Sequence, residues 1–166
     1  AEVRPQVSGV IQEVRLTEGT TVNAGDILFV IDPRPFAAAV TQAEGQLGSA
    51  NAQATLARND MNRASTLIKE KAIPQHQYDQ ARNALNVADA NVKSAQAQLD
   101  VARLNYDYAH VKAPIAGRVS RAEITAGNLV ESGQNAPVLT TVVAAGQVYA
   151  DFEIDETTFL PYAQAG

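Results

Sequence analysis

Hydrophobic positions along this chain keep two different rhythms. From Val3 to Ile31, and again from Val111 to Val142, apolar residues alternate with polar ones, as Val14 and Leu16 do among Glu13, Arg15 and Thr17. That alternation is punctuated by Glu18-Gly19-Thr20 and Ala24-Gly25-Asp26, and it predicts short strands joined by tight turns. Between these stretches the spacing changes to alternate steps of four and three. One row reads Phe36, Ala43, Ala50, Ala57, Ala64 beside Val40, Leu47, Ala54, Met61, Ile68; a second reads Tyr78, Leu85, Val92, Leu99, Tyr106 beside Ala81, Ala88, Ala95, Ala102, Ala109. Such heptads predict two paired helices.

An alanine row lets two backbones approach closely while the larger row fills the remaining gap, so the helices are expected to zip into an antiparallel hairpin. Asp32-Pro33 predicts the start, an aspartate able to cap followed by proline in the first turn. The reversal is expected between Lys71 and Gln77, where Pro74 lacks an amide donor and restrains Ile73 away from helical geometry. At ~1.5 Å per residue, arms of about 37 residues reach roughly 55 Å. Gly45 and Gly48 each cost the first helix on the order of 1 kcal/mol relative to alanine. They are read either as tolerated in a long, well-zipped helix or as room for a neighbouring molecule.

The two alternating stretches repeat one another. Adding 108 carries Gly9, Gly19 and Gly25 onto Gly117, Gly127 and Gly133, and Val3, Val7, Val14, Leu16 and Val22 onto Val111, Ile115, Ala122, Ile124 and Val130. Neither copy is long enough to bury a core, so the two ends of the chain are expected to fold as one β unit that the helices interrupt. The fold class is therefore α+β: a split β unit over 1–32 and 111–142, and a helical hairpin over 33–110 with its tip near 71–77. The segment 143–166, with Val148-Tyr149-Ala150-Asp151-Phe152-Glu153-Ile154 alternating, reads as the opening of a further β domain in a longer protein.

Composition narrows the chemistry. The net charge is −5 without a Lys/Arg cluster, which removes the basis for nucleic-acid binding. With no cysteine there are no disulfides or thiolate metal sites, and no stretch approaches the ~20 apolar residues of a membrane-spanning helix. His76 and His110 fall near opposite ends of the second helix, too far apart to share a metal. Glu153, Asp155 and Glu156 read as an exposed turn with a helix cap rather than as paired catalytic carboxylates. With no phosphate loop or Ser/His/Asp set either, neither catalytic residues nor a cofactor are expected.

Four motifs, in this order, carry a resemblance: Pro5-Gln6-Val7-Ser8-Gly9-Val10-Ile11, Glu18-Gly19-Thr20-Thr21-Val22-Asn23-Ala24-Gly25-Asp26, Val111-Lys112-Ala113-Pro114-Ile115-Ala116-Gly117-Arg118-Val119, and Ala126-Gly127-Asn128-Leu129-Val130. Together they resemble the periplasmic adaptors of tripartite efflux pumps, the membrane fusion proteins, over nearly the whole chain. The resemblance implies that the β unit is lipoyl-like (a biotinyl/lipoyl-carrier sandwich) and that 143–166 begins the family's β-barrel domain. Lys112 lacks flanking methionines and sits where a strand should begin, so it reads as a structural or solvated lysine and not as a swinging-arm carrier.

The resemblance further implies a protein of the periplasm, associated with the inner membrane, that links a resistance-nodulation-division (RND) drug transporter to an outer-membrane channel of the TolC type. It would act as a ring of copies, by family likeness a hexamer. The family's hairpin tip meets the channel through an arginine, a leucine and a serine. Arg63 and Leu67 match the first two, Pro74 stands at the serine position, and Ile73 with Pro74 can offer an apolar contact in its place. Two other readings are an adaptor for an ABC-type exporter or type I secretion system, and a coiled-coil spacer that binds no conduit.

Overall fold

The structure, a computed structural model, describes residues 1–144 of the 166. The expected further β domain, with its Val148 to Ile154 strand and Glu153, Asp155 and Glu156, lies outside the described residues from 145 onward. Two compact units divide the described residues, one of 1–33 and 105–144, the other Arg34–Leu104.

In the first unit, eight strands among the described residues form two antiparallel sheets. The strands are β1 (Glu2–Val3), β2 (Gly9–Val14), β3 (Thr21–Val22), β4 (Ile27–Ile31), β5 (His110–Lys112), β6 (Gly117–Val119), β7 (Leu129–Val130) and β8 (Thr140–Val143). One sheet runs β1-β8-β6-β3 and the other β5-β4-β2-β7, so exchanging the first four strands with the last four turns one sheet into the other. Each sheet holds two strands from either side of the insertion. The bonds repeat as the strands do: Gly19 N–H donates to Val119 O at 2.9 Å and Gly127 N–H to Ile11 O at 2.8 Å. Likewise Ile11 N–H donates to Asn128 O at 2.8 Å and Val119 N–H to Thr20 O at 3.0 Å. Neither half satisfies its backbone alone, so the halves fold together. Ile11, Phe29, Ile31, Val119, Leu139 and Val142 are all but fully buried and form the core.

The register departs from the expected offset in one place. Ile11 pairs with Ile31, and its mate Val119 with Val142, so the last strand matches at 111 rather than 108. The apolar pair Val138-Leu139 consequently precedes β8, and Thr140 takes the position equivalent to Phe29. This threonine is wholly buried, and its hydroxyl donates between the carbonyls of Ser120 and Arg121, each at 3.1 Å. Beyond Val119 the main chain still bonds to this segment, Ser120 N–H to Thr141 O at 2.9 Å and Glu123 N–H to Leu139 O at 2.8 Å, the latter matching Arg15 N–H to Leu28 O in the other copy. Ala122 and Ile124, expected to mark a strand with their mates Val14 and Leu16, lie in irregular structure; Leu16 does too, and only Val14 of the four is in a strand, at the end of β2.

The second unit is the greater part of two helices, α1 (Arg34–Lys69) and α2 (Gln75–Tyr108). The buried positions are Ala43, Ala50, Ala54, Ala57 and Ala64 against Ala88, Ala95, Leu99 and Ala102, so the alanine rows bring the backbones together. Val40 and Leu47 pack around Ala43, Leu99 and Ala102, while Leu85 and Val92 pack around Ala54, Ala57 and Ala88. Arg58–Asp89 at 3.1 Å and Arg103–Glu44 at 3.8 Å cross between the helices, but both pairs are exposed and add little. Gly45 and Gly48 face open space, with nothing within 4 Å of where a Cβ would stand. Tyr106, placed in the large row by its spacing, is instead 39% exposed, its ring tilted against His110 at 5.1 Å between centroids.

Candidate partner interface at the hairpin tip

The reversal between the helices is a built turn. Lys71 adopts φ 58°, a left-handed conformation, while Ala72 N–H donates to Leu67 O at 2.8 Å and Lys71 N–H to Ile68 O at 3.0 Å. This is the Schellman arrangement that satisfies the last carbonyls of a helix, here with lysine in the place usually taken by glycine. Two residues on, Pro74 opens α2: its carbonyl accepts the amides of Gln77 at 3.0 Å and Tyr78 at 3.3 Å. Gln75 Nε2 bonds Asp79 Oδ1 at 3.0 Å along the same first turn.

Three of the four tip residues named from the sequence meet in space. Arg63, Leu67 and Ile73 line one groove of about 380 Å³ together with Asp60, Gln77 and Gln80. On its other side the Arg63-Leu67 ridge borders a second, mostly apolar hollow with Asn62 and Thr66. Leu67 is 37% exposed, a large apolar side chain left in water at the end of a helix. Pro74 is exposed but outside the groove, and its role in the fold is to start α2. The Arg63 guanidinium is ion-paired through Nη2 with Asp60 Oδ1, one turn back on the same helix.

Asp60, Gln77 and Gln80 were not singled out by sequence reasoning. Their signal was present: 60, 63 and 67 on α1, and 77 and 80 on α2, keep the steps of three and four that define a helix flank. The groove between these flanks is of mixed character, Leu67, Ile73 and alanines beside Asp60, Arg63, Gln77 and Gln80.

Elsewhere the described residues show no comparable chemistry. In the β unit, a cleft of about 390 Å³ is lined by Glu2, Arg4, Asp107, His110 and Lys112 among others. Its charges are paired, Arg4 with Glu2 at 2.8 Å and Lys112 with Asp107 at 2.7 Å. His110 Nδ1 lies 3.1 Å from Tyr106 O, and His76 is exposed near the tip. Among the described residues no group of three or more His, Asp or Glu is placed to hold a metal ion, and no helix is long and apolar enough to cross a membrane.

Comparison with known proteins adds the family context. Residues 1–142 match the family model described as RND MFP, barrel-sandwich hybrid domain. Multidrug resistance protein MdtE of Escherichia coli (strain K12) is 40% identical over 160 residues, covering 96% of this chain and 41% of MdtE. Multidrug efflux pump subunit AcrA of the same strain is 38% identical over 164 residues, covering 99% of this chain and 41% of AcrA. Among solved structures, a MacA-MexA chimeric protein containing the Pseudomonas aeruginosa MexA α-hairpin domain superposes with a TM-score of 0.64 at 29% identity. That match covers 87% of this chain and 47% of the chimera. The chain thus spans about two fifths of the length of the curated relatives it matches.

Proposed function

Because this chain belongs to the membrane fusion proteins of RND efflux pumps, we propose that it is the hairpin-bearing part of a periplasmic adaptor. The whole protein would bridge an inner-membrane RND multidrug transporter to an outer-membrane channel of the TolC type. In this reading it works by reach and by sealing, and the transporter supplies the energy. The β unit is lipoyl-like in our reading, an assignment supported by its two interchangeable sheets, and the expected β-barrel domain begins after β8, which takes in Val143. Several copies, a hexamer by family likeness, surround the conduit. The family match over residues 1–142 favours an RND pump over an ABC-type exporter or a secretion system.

The observation that carries the channel contact is the shared groove of Arg63, Leu67 and Ile73. Arg63 forks onto carbonyl or carboxylate oxygens of the channel, Leu67 fills a hollow between channel helices, and Ile73 with Pro74 supplies apolar contact where the family pattern has a serine. The test is Arg63→Asp in the full-length protein, with drug resistance and helical circular dichroism measured together. Resistance should fall with helicity unchanged. Unaltered resistance would remove the tip from the interface, and collapsed helicity would make Arg63 a structural residue.

A further inference from the structure

We propose that Asp60 is a positioning and specificity-determining residue for the tip, holding Arg63 on the rim of the groove and selecting a neutral acceptor on the partner. The inference rests on the reading that the tip docks a channel.

Not every ion pair of the hairpin does the same thing. Arg58–Asp89 and Arg103–Glu44 join one helix to the other. Asp60–Arg63 lies within a single turn of α1 and joins nothing across the seam. The pair is as exposed as those two and adds as little to stability, so its effect falls on Arg63 itself, whose side chain would otherwise sample more rotamers. Asp60 also lines the tip groove beside Leu67 and Ile73, and borders the next concavity along the flank with Leu56 and Val87. It therefore stands where a docked helix end would lie.

Two consequences follow for the partner. Within the pair the carboxylate offsets much of the guanidinium charge, so Arg63 itself adds little long-range attraction to docking and little salt dependence of its own. A partner carboxylate brought to Arg63 meets Asp60 as a like charge, whereas a backbone carbonyl at a helix end or turn does not. Asp60 is thus the repulsive element that discriminates between two acceptors Arg63 alone would accept. The partner's contribution is a neutral oxygen, not an acidic side chain.

The experiment measures binding of the full-length protein to the purified outer-membrane channel of its host at low and high salt, for the wild type, Asp60→Asn, Asp60→Glu and Arg63→Gln. Wild-type affinity should change less with salt than that of Asp60→Asn, where the Arg63 charge is no longer offset. Asp60→Asn should bind about three- to tenfold more weakly, because docking must then immobilise Arg63. Asp60→Glu should behave like the wild type, a rescue that a loss of helix structure would not give. Asp60→Asn binding as tightly as the wild type, or more tightly at low salt, overturns the inference, as does failure of Asp60→Glu to restore binding. If Arg63→Gln loses affinity while Asp60→Asn does not, the docking reading stands and only the role of Asp60 falls. If Arg63→Gln binds normally, both fall.

Discussion

Gly117 lies so close to Val143 that a Cβ built on it would meet the carbonyl carbon of Val143 at 2.7 Å. Its repeat mate Gly9 is also crowded, but by a side chain, the Cγ2 of Ile31 at 2.6 Å. Backbone within a ladder cannot move aside without breaking the β6-β8 pairing, while a side chain can shift its rotamer. Gly117→Ala should therefore destabilise the β unit by about 3 kcal/mol and Gly9→Ala by about 1 kcal/mol, the upper and lower ends of the usual cost of overpacking. Urea unfolding of the two variants checks the order, and equal midpoints would mean that strand β6 is free to move.

The repeat behind this comparison was legible in the sequence because its punctuation is imposed by the backbone. Gly19, Gly25, Gly127 and Gly133 all adopt positive φ, between 83° and 95°, which side-chain-bearing residues rarely do. What the pattern could not reveal was the slip from 108 to 111. It falls in a loop after Gly133, where no periodicity constrains length, and it puts a threonine where the other copy has phenylalanine. The heptads identified the seam through small residues, since an alanine must be buried to justify a row of alanines. Tyr106 escaped because its partner is a histidine beyond the helix. At the tip, Arg63 and Leu67 came from the family resemblance, with Ile73 beside the departing Pro74, and the structure brings the three to one groove; the Asp60 pairing depended on which of several charged neighbours Arg63 would take.

Thr140 is a second consequence of the slip that can be measured. Its hydroxyl is the donor shared by the Ser120 and Arg121 carbonyls. Thr140→Val preserves shape but leaves those acceptors without a partner, at a cost of about 1–3 kcal/mol. Thr140→Ser keeps the donor and loses one methyl, about 0.8 kcal/mol. Thermal unfolding should rank the serine variant above the valine variant. The reverse order would show that packing, not the hydrogen bond, matters at this position.

In the seam, opposite changes should both destabilise. Ala95 is 7% exposed and Leu99 is 2% exposed, so one has no room to grow and the other leaves a hole when truncated. Ala95→Leu is expected to cost about 1–3 kcal/mol by forcing the backbones apart, and Leu99→Ala about 2–3 kcal/mol through the lost burial and the cavity. Helical circular dichroism followed through thermal melting reads both. An unchanged melting temperature in Ala95→Leu would contradict the close approach of the alanine rows.

The last prediction concerns the turn that presents the groove. Lys71 holds φ 58° as the left-handed residue of the cap, a conformation in which a Cβ is crowded by the following carbonyl. That crowding costs about 1–2 kcal/mol, whereas glycine occupies the region freely but gives up about 0.5–1 kcal/mol of chain entropy. Lys71→Gly should thus stabilise the hairpin by about 0.5–1 kcal/mol, and Lys71→Val should destabilise it by about 1 kcal/mol because a β-branched residue is crowded further. The capping bonds from Ala72 to Leu67 and from Lys71 to Ile68 are main-chain bonds, so neither change removes them directly. Melting of the helical signal provides the ranking, glycine above lysine above valine, and amide hydrogen exchange at Lys71 and Ala72 reports the cap itself. If Lys71→Gly lowered stability, the lysine side chain would have to be making a contact worth more than the strain it tolerates, and the turn would be held from outside the backbone.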